Sequence, residues 1–201
     1  MLGPRVPSRP RLPLELGSIV LAVACSVTLA PASRVRPMNL EEMTARAERI
    51  FHGRCTTVER VRDEDPGLDV IRVTFEVERR VKGSAPAQIT VRMLADPAVA
   101  ARNAGDGGTL RFRPGERIVL FLYGESRSGL TSPVGLGQGK FTVLEDKQGR
   151  EVAVNGFGNE VLFRGLSPEA ATRLGDQADA WRHREGIPPE TLLRMVETLA
   201  P

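Results

Sequence analysis

The stretch Ile71-Arg72-Val73-Thr74-Phe75-Glu76-Val77-Glu78 alternates strictly between apolar and polar side chains. Successive side chains of a β-strand point to opposite faces, so this alternation predicts a strand with one buried and one solvated face. The same alternation resumes at Arg80 and Val81. We expect the apolar members, above all Val73, Phe75 and Val77, to lie in the core of a sheet together with Ile118 and Leu120.

Further strand patterns lie on both sides of this stretch. Residues 50–61 are rich in β-branched side chains and change phase near Thr56, which predicts a strand with a bulge. Residues 118–123 are apolar on both faces and predict a central strand. The other predicted strands are residues 89–93, a hairpin of residues 140–144 and 151–154, and a short strand at residues 157–163. Five to six short strands with frequent turns predict a mainly β (α+β) fold, a small closed or partly closed barrel.

Helices are predicted before and after these strands. Asn39 can cap a short helix that Glu42 supports three residues later, and this helix is expected to end near Glu48. Ser167-Pro168-Glu169 begins a second helix that is expected to reach about His183, and Pro188-Pro189-Glu190 begins a third. The predicted division is a barrel domain at residues 39–165 and a C-terminal helical appendage at residues 166–201.

Residues 1–32 have the order of a secretory signal peptide. An arginine-rich leader precedes an apolar run at residues 16–30, and Ala30-Pro31-Ala32 supplies the small residues of a cleavage site. We expect cleavage between Ala32 and Ser33, a linker at residues 33–38, and a secreted or periplasmic protein with no stable membrane span after cleavage. An uncleaved membrane anchor and a lipidated Cys25 are the alternatives.

Composition excludes several classes of function. The net charge of +3 falls to +1 when the three Arg and one Glu of the leader are removed, so there is no electrostatic case for nucleic acid or an anionic membrane. Two Cys and two His supply neither a disulfide framework nor a thiolate or histidine metal site. No metal, no cofactor and no catalytic residues are therefore predicted.

Three local patterns resemble functional motifs. Gly135-Leu136-Gly137-Gln138-Gly139-Lys140 is similar to a phosphate-binding loop, but the next residues alternate as a strand, so we interpret it as a close-packed entry to that strand. His52 and Cys55 stand three apart, which places them on opposite faces of a strand unless a bulge lies between them. The acids between Asp63 and Asp69 do not match an EF-hand loop. A weak, irregular calcium site at these residues is an alternative that the sequence leaves open.

Several of these motifs together resemble a known module. Residues 47–53, the Val73-to-Val77 strand, the following Val81-Lys82-Gly83 and the central strand after Pro114-Gly115-Glu116 resemble the netrin-like module of tissue inhibitors of metalloproteinases. The resemblance covers roughly residues 40–145 and is stronger to uncharacterised secreted bacterial proteins that carry the Gly137-to-Phe141 pattern. It implies an oligosaccharide/oligonucleotide-binding (OB) type barrel. The inhibitors' amino-terminal Cys and disulfides are missing here, so their wedge against the protease zinc is not implied.

The predicted function is an exported, non-catalytic binding or protein-interaction module. Loops on a rigid scaffold are common binding sites, which draws attention to residues 96–113 and 124–139. The predicted partner-binding residues are Gly135, Gly137, Gln138, Gly139 and Lys140. The expected partner is another exported protein. The alternative function is the inhibition or modulation of a secreted metalloprotease. A hydrolase with an unrecognised site is a third interpretation.

Overall fold

The structure is a computed structural model that describes residues 36–62, 67–95, 110–182, 184 and 186–200, together with Gly3. The chain divides into two compact units, Met1–Pro31 and Ala32–Pro201, and every element described below belongs to the second. The predicted signal peptide, its cleavage site at Ala32 and Ser33, and Cys25 lie outside the described residues. So do residues 63–66 of the acidic turn and residues 96–109 of the long connection.

The fold is mainly β, with six antiparallel strands in a single sheet. The first and fourth strands along the chain lie at the centre of the sheet. Their spatial order is β3-β2-β1-β4-β5-β6. Their bounds are β1 Arg49–Arg62, β2 Asp69–Lys82, β3 Gln88–Leu94, β4 Arg117–Leu122, β5 Lys140–Glu145 and β6 Glu151–Asn155.

The sheet is open in the part of the chain that the structure describes, because no described pairing joins β3 to β6. On its side away from β2, β3 makes a parallel bridge from Arg92 to Leu130, with a hydrogen bond of 2.9 Å from the Thr131 amide to the Arg92 carbonyl. The closed barrel predicted from the sequence is therefore not confirmed, whereas the mainly β class is.

Bulges change the direction of side chains along the two longest strands. The predicted bulge near Thr56 is confirmed, since the register of β1 against β2 shifts between Cys55 and Thr57. Two further shifts, which the sequence did not predict, lie between Ile50 and Phe51 and between His52 and Gly53. An extra residue moves those that follow to the other face of the sheet. Val81 accordingly packs in a different core from Val73, and its predicted place on the same face is wrong.

The two faces of the sheet bury separate apolar cores. We call the core that contains Val73 and Phe75 of β2 the inner core, and the core on the opposite face the outer core. Strand β4 contributes alternate residues to both cores. Residues Ile118, Leu120 and Leu122 enter the inner core, whereas Val119 and Phe121 enter the outer core, which the helices cover. This confirms the prediction of a central strand buried on both faces. The predicted core positions are fully buried except Val77, which is half-buried.

The described part of the chain contains four α-helices that pack on the outer core, with bounds α1 Leu40–Arg46, α2 Pro168–Leu174, α3 Asp176–Trp181 and α4 Pro189–Leu199. Both predicted caps are confirmed: Asn39 accepts from the Glu42 amide, and Ser167 accepts from the Ala170 amide. The expected single helix from residue 168 to about 183 is wrong. Gly175 ends α2 with a φ of 54°, a conformation that glycine tolerates and that breaks the helix. None of the described helices is long and apolar enough to cross a membrane.

Two further expectations for the C-terminal third are corrected. Residues 157–163 form turns instead of a strand, because Gly158 and Asn159 take positive φ values of 64° and 65°. Asn155 and Asn159 exchange side-chain to backbone hydrogen bonds of 2.9 and 3.0 Å that hold these turns. The helices after residue 166 share the outer core with the sheet and belong to the same compact unit, so they are not an appendage.

Candidate functional site

The glycine-rich stretch of residues 135–140 is a tight entry to β5. Gly135 has a φ of 61°, and a single 3₁₀ turn, Leu136–Gln138, leads into the strand. At Gly139 the backbone approaches so closely that a Cβ atom would lie 2.4 Å from the Val134 carbonyl oxygen. The interpretation as a strand entry is confirmed, and no helix follows that could receive a phosphate.

Gln138 uses its side chain to hold the start of the fold. It is fully buried. Its Oε1 accepts from the Met38 amide at 2.7 Å, and its Nε2 donates to the Arg36 carbonyl at 3.0 Å. Residues 36–38 of the predicted linker are thus fastened to the glycine-rich stretch, and Met38 belongs to the outer core. The amide that was predicted to contact a partner binds its own chain.

Lys140 is also turned inward. Its Nζ lies 2.6 Å from the Glu116 carboxylate and donates at 2.6 Å to the Arg111 carbonyl, 5.1 Å from the centre of the Phe112 ring. Only 9% of the Lys140 side chain is exposed. Gly135, Gly137 and Gly139 are buried as well. The predicted partner-binding set is therefore a structural junction, and its polar groups are not presented to a partner.

Cys55 and His52 do not form a pair of nucleophile and general base. Burial raises the pKa of the Cys55 thiol to about 11, and the Glu116 carboxylate adds to the rise, so the thiol is neutral at physiological pH. Cys55 packs in the inner core. His52 instead approaches Glu78, with Nδ1 at 3.3 Å from Oε2. The bulge between His52 and Gly53 does not bring the two side chains into hydrogen-bond contact in the described part of the chain.

Of the acidic candidates at residues 63–69, the structure describes Asp69. Asp69 pairs with Arg60 and Arg62, and the other acids of that turn lie outside the described residues. No three His, Cys, Asp or Glu side chains come together as a metal site in the ranges that the structure describes. Glu78, the last residue of the alternating stretch 71–78, binds His52 and Arg117 and is one-third exposed.

A cleft of about 510 Å³ lies between the β5–β6 hairpin and the segment that joins α3 to α4. We call it the hairpin cleft. Leu144 on β5 is 51% exposed, the highest value among the large apolar side chains of the described chain. The described residues that line it are Leu144, Glu145, Asp146, Lys147, Gln148, Arg150, Glu151, Val152, Val154, Trp181, Arg184, Gly186 and Pro188.

The walls of the hairpin cleft are firmly held. On one side, Asp146 accepts from the Gln148 and Arg150 amides at 2.8 and 2.9 Å, which fixes the tip of the hairpin. On the other side, Ala153 and Ile187 exchange two backbone hydrogen bonds of 2.7 and 3.2 Å. These bonds join β6 to the segment opposite, so the cleft is formed before any partner arrives.

Charge is distributed unevenly along the hairpin cleft. Arg150 pairs with Asp146, and Glu151 pairs with Arg117 outside the cleft. The Arg184 guanidinium stacks 5.3 Å from the centre of the Trp181 ring. Neither Arg184 nor Lys147 has a carboxylate partner among the described residues, and Glu145 is the lining acid without a cation.

Trp181, the single tryptophan of the chain, lies between two clefts. The second, of about 560 Å³, runs between α3 and α4. Its lining is predominantly polar: Gln177, Trp181, Thr191, Arg194, Glu197 and Thr198. Sequence reasoning missed both clefts. The one available signal was the lone tryptophan, since aromatic side chains of this kind are enriched where proteins meet.

The sequence matches no protein-family model and no curated protein. Of the two clefts, the hairpin cleft combines the exposed Leu144 with a tryptophan and two cations that have no carboxylate partner among the described residues, which are features of a binding surface.

Proposed function

We propose that the protein is an exported, non-catalytic interaction module that binds another exported protein through the hairpin cleft. The observation that carries the proposal is the exposure of Leu144 at the mouth of a preformed cleft lined by Val152, Val154 and Trp181. Exposed apolar side chains that are contiguous and framed by polar groups mark interaction sites more often than chance. A preformed cleft also avoids the entropy of ordering its walls on binding.

The chemistry of the lining defines the partner. Trp and Arg are the residues that most often dominate the binding energy of an interface, and here Trp181 and Arg184 stack on each other. Lys147 and Arg184 are both available to a carboxylate. The partner that fits is a protein segment that inserts an aliphatic side chain beside Leu144 and places an acidic residue near these cations.

Export and a netrin-like barrel form part of the same proposal. The leader at residues 1–32 supports export. The strand order, with β1 between β2 and β4, and the inner core between these strands support an OB-type relationship. The weak nucleophile and base constellations support a non-catalytic role.

The test compares two exposed leucines, one inside the hairpin cleft and one outside it. Leu144 in the hairpin cleft and Leu94 at the end of β3 are 51% and 47% exposed and both end or nearly end a strand. A photo-crosslinking residue is placed at either position, and the protein is exposed to the extracellular and cell-envelope fractions of its own cells. We expect position 144 to crosslink a discrete protein that position 94 does not.

The purified crosslinked protein is then titrated against Leu144→Asp and Leu94→Asp. We expect Leu144→Asp to weaken binding at least tenfold, because it removes an apolar contact of about 1.5–3 kcal/mol and introduces a charge. Leu94→Asp should bind as the parent does. Equal crosslinking at both positions, or equal affinity of both variants, would refute the hairpin cleft as the binding site.

A further inference from the structure

His52 is a buried histidine that the proposed function does not use. It lies on β1, opposite Arg79 of β2 and Val119 of β4, with 5% of its side chain exposed. Its Nδ1 lies 3.3 Å from the Glu78 carboxylate, whereas Nε2 is buried and has no hydrogen-bond partner in the described part of the chain. The site is thus built for a neutral imidazole, because a second N–H would have nothing to donate to.

Charged groups face His52 from each element packed around it. Glu78 and Arg79 come from β2, Arg117 from β4, and Glu151 from β6. From α4, the Glu190 carboxylate favours the charged form of the imidazole. Arg117 binds both Glu78 and Glu151 and so links the strands beside the histidine.

The same group of charges attaches the C-terminal helix. Arg79, the cross-strand neighbour of His52, donates to the Glu190 and Glu197 carboxylates of α4, the latter at 2.8 Å. A proton on His52 would place a second positive charge beside Arg79 and compete for Glu190. The positive charge on His52 would be solvated most simply if water entered between the sheet and α4.

Protonation of His52 favours the open form, in which α4 has moved away from the sheet. Burial lowers the pKa of His52 below its ordinary 6.5; Glu78 opposes the fall, Arg117 adds to it, and Glu190 and Glu151 oppose it more weakly. When α4 opens, the imidazole reaches water and regains an ordinary pKa of about 6.5. The open form therefore binds more protons, so attachment is strongest above that pH, weakens as pH falls through it, and levels off below the pKa of the closed form.

We propose that His52 makes the attachment of α4 to the sheet acid-sensitive, so that mildly acidic surroundings loosen the C-terminal helix. This inference concerns α4 and does not depend on the hairpin cleft. Hydrogen exchange of the full-length protein, followed by mass spectrometry, measures it at pH 7.5 and pH 5.5. Protection of α4 is expressed relative to β4 in the same molecules, which cancels the pH dependence of the exchange chemistry.

We expect the relative protection of α4 to fall by up to about tenfold between these pH values, the factor set by one ordinary histidine. His52→Gln, which stays neutral and can still donate to Glu78, should abolish the fall. His183→Gln, at the only other histidine, should leave it unchanged. A flat response in the wild-type protein overturns the proposal without any variant. So does a parallel loss in β4, which would signal global unfolding, or a fall that His52→Gln retains.

Discussion

Lys140 offers a direct test of the reassignment from partner contact to structural junction. In the structure, its Nζ binds the Glu116 carboxylate and the Arg111 carbonyl, each at 2.6 Å. Lys140→Met keeps the length and apolar stem of the side chain but removes the charge. Glu116, with 14% of its side chain exposed, would then hold a largely buried carboxylate without its cation.

The expected cost follows from what remains around Glu116. Removing one partner of a buried ion pair typically costs about 3–5 kcal/mol. Here the carboxylate keeps the Thr142 hydroxyl at 3.0 Å and the Arg113 amide at 3.1 Å, so the lower end applies, about 3 kcal/mol. With Glu116→Gln added, no buried charge is left, and the double variant should lose only about 1 kcal/mol, for the unpaired Arg111 carbonyl.

Urea denaturation followed by circular dichroism measures these changes. A loss of about 3 kcal/mol should lower the midpoint by about 1.5 M if the denaturant dependence is about 2 kcal/mol per M. The decisive result is the order of stabilities: the double variant should lie above Lys140→Met. If Lys140→Met unfolds at the parental midpoint, or the double variant is the least stable, the junction does not stabilise the fold as argued.

Two other predictions concern the core and the amino terminus. Phe75→Ala removes a fully buried ring that packs edge-on against Phe51 at 5.5 Å between ring centres, and it should lower the free energy of unfolding by about 3–5 kcal/mol. Thr90→Ala on the solvated face of β3 is its control, and equal losses for both variants would contradict the assigned faces. Amino-terminal sequencing of the exported protein should begin at Ser33; a lipidated start at Cys25 would show instead that the leader is that of a lipoprotein.

The fold was predictable where a local pattern carries the information. The alternation over residues 71–77 of β2, the uninterrupted apolar run of β4 and the caps at Asn39 and Ser167 each depend on neighbours within a few residues, and each was confirmed. Prediction failed where a local signal was absent or misleading. The turns that replace the strand at residues 157–163 depend on a pair of asparagines that bond to each other's backbone.

The candidate site was less predictable, because exposure is a property of the assembled chain. Gln138 and Lys140 are polar residues in a glycine-rich loop, and composition suggested a surface. Both instead satisfy groups about 24 to 102 residues away, which only the folded chain brings near. Conversely, Leu144 continues an ordinary strand pattern, yet the geometry of the hairpin leaves it exposed.

By itself, the sequence determined the mainly β class, the central strand, most strand positions and both helix caps, because period and capping are encoded within a few neighbouring residues. Tertiary structure alone decided which polar groups turn inward, where the bulges reverse the faces of β1 and β2, and that the C-terminal helices complete the outer core. It also decided the environment of His52, whose charged neighbours come from β2, β4, β6 and α4. The physical reason is that burial and electrostatic fields depend on distances in space, and these are set by contacts between segments far apart in the chain.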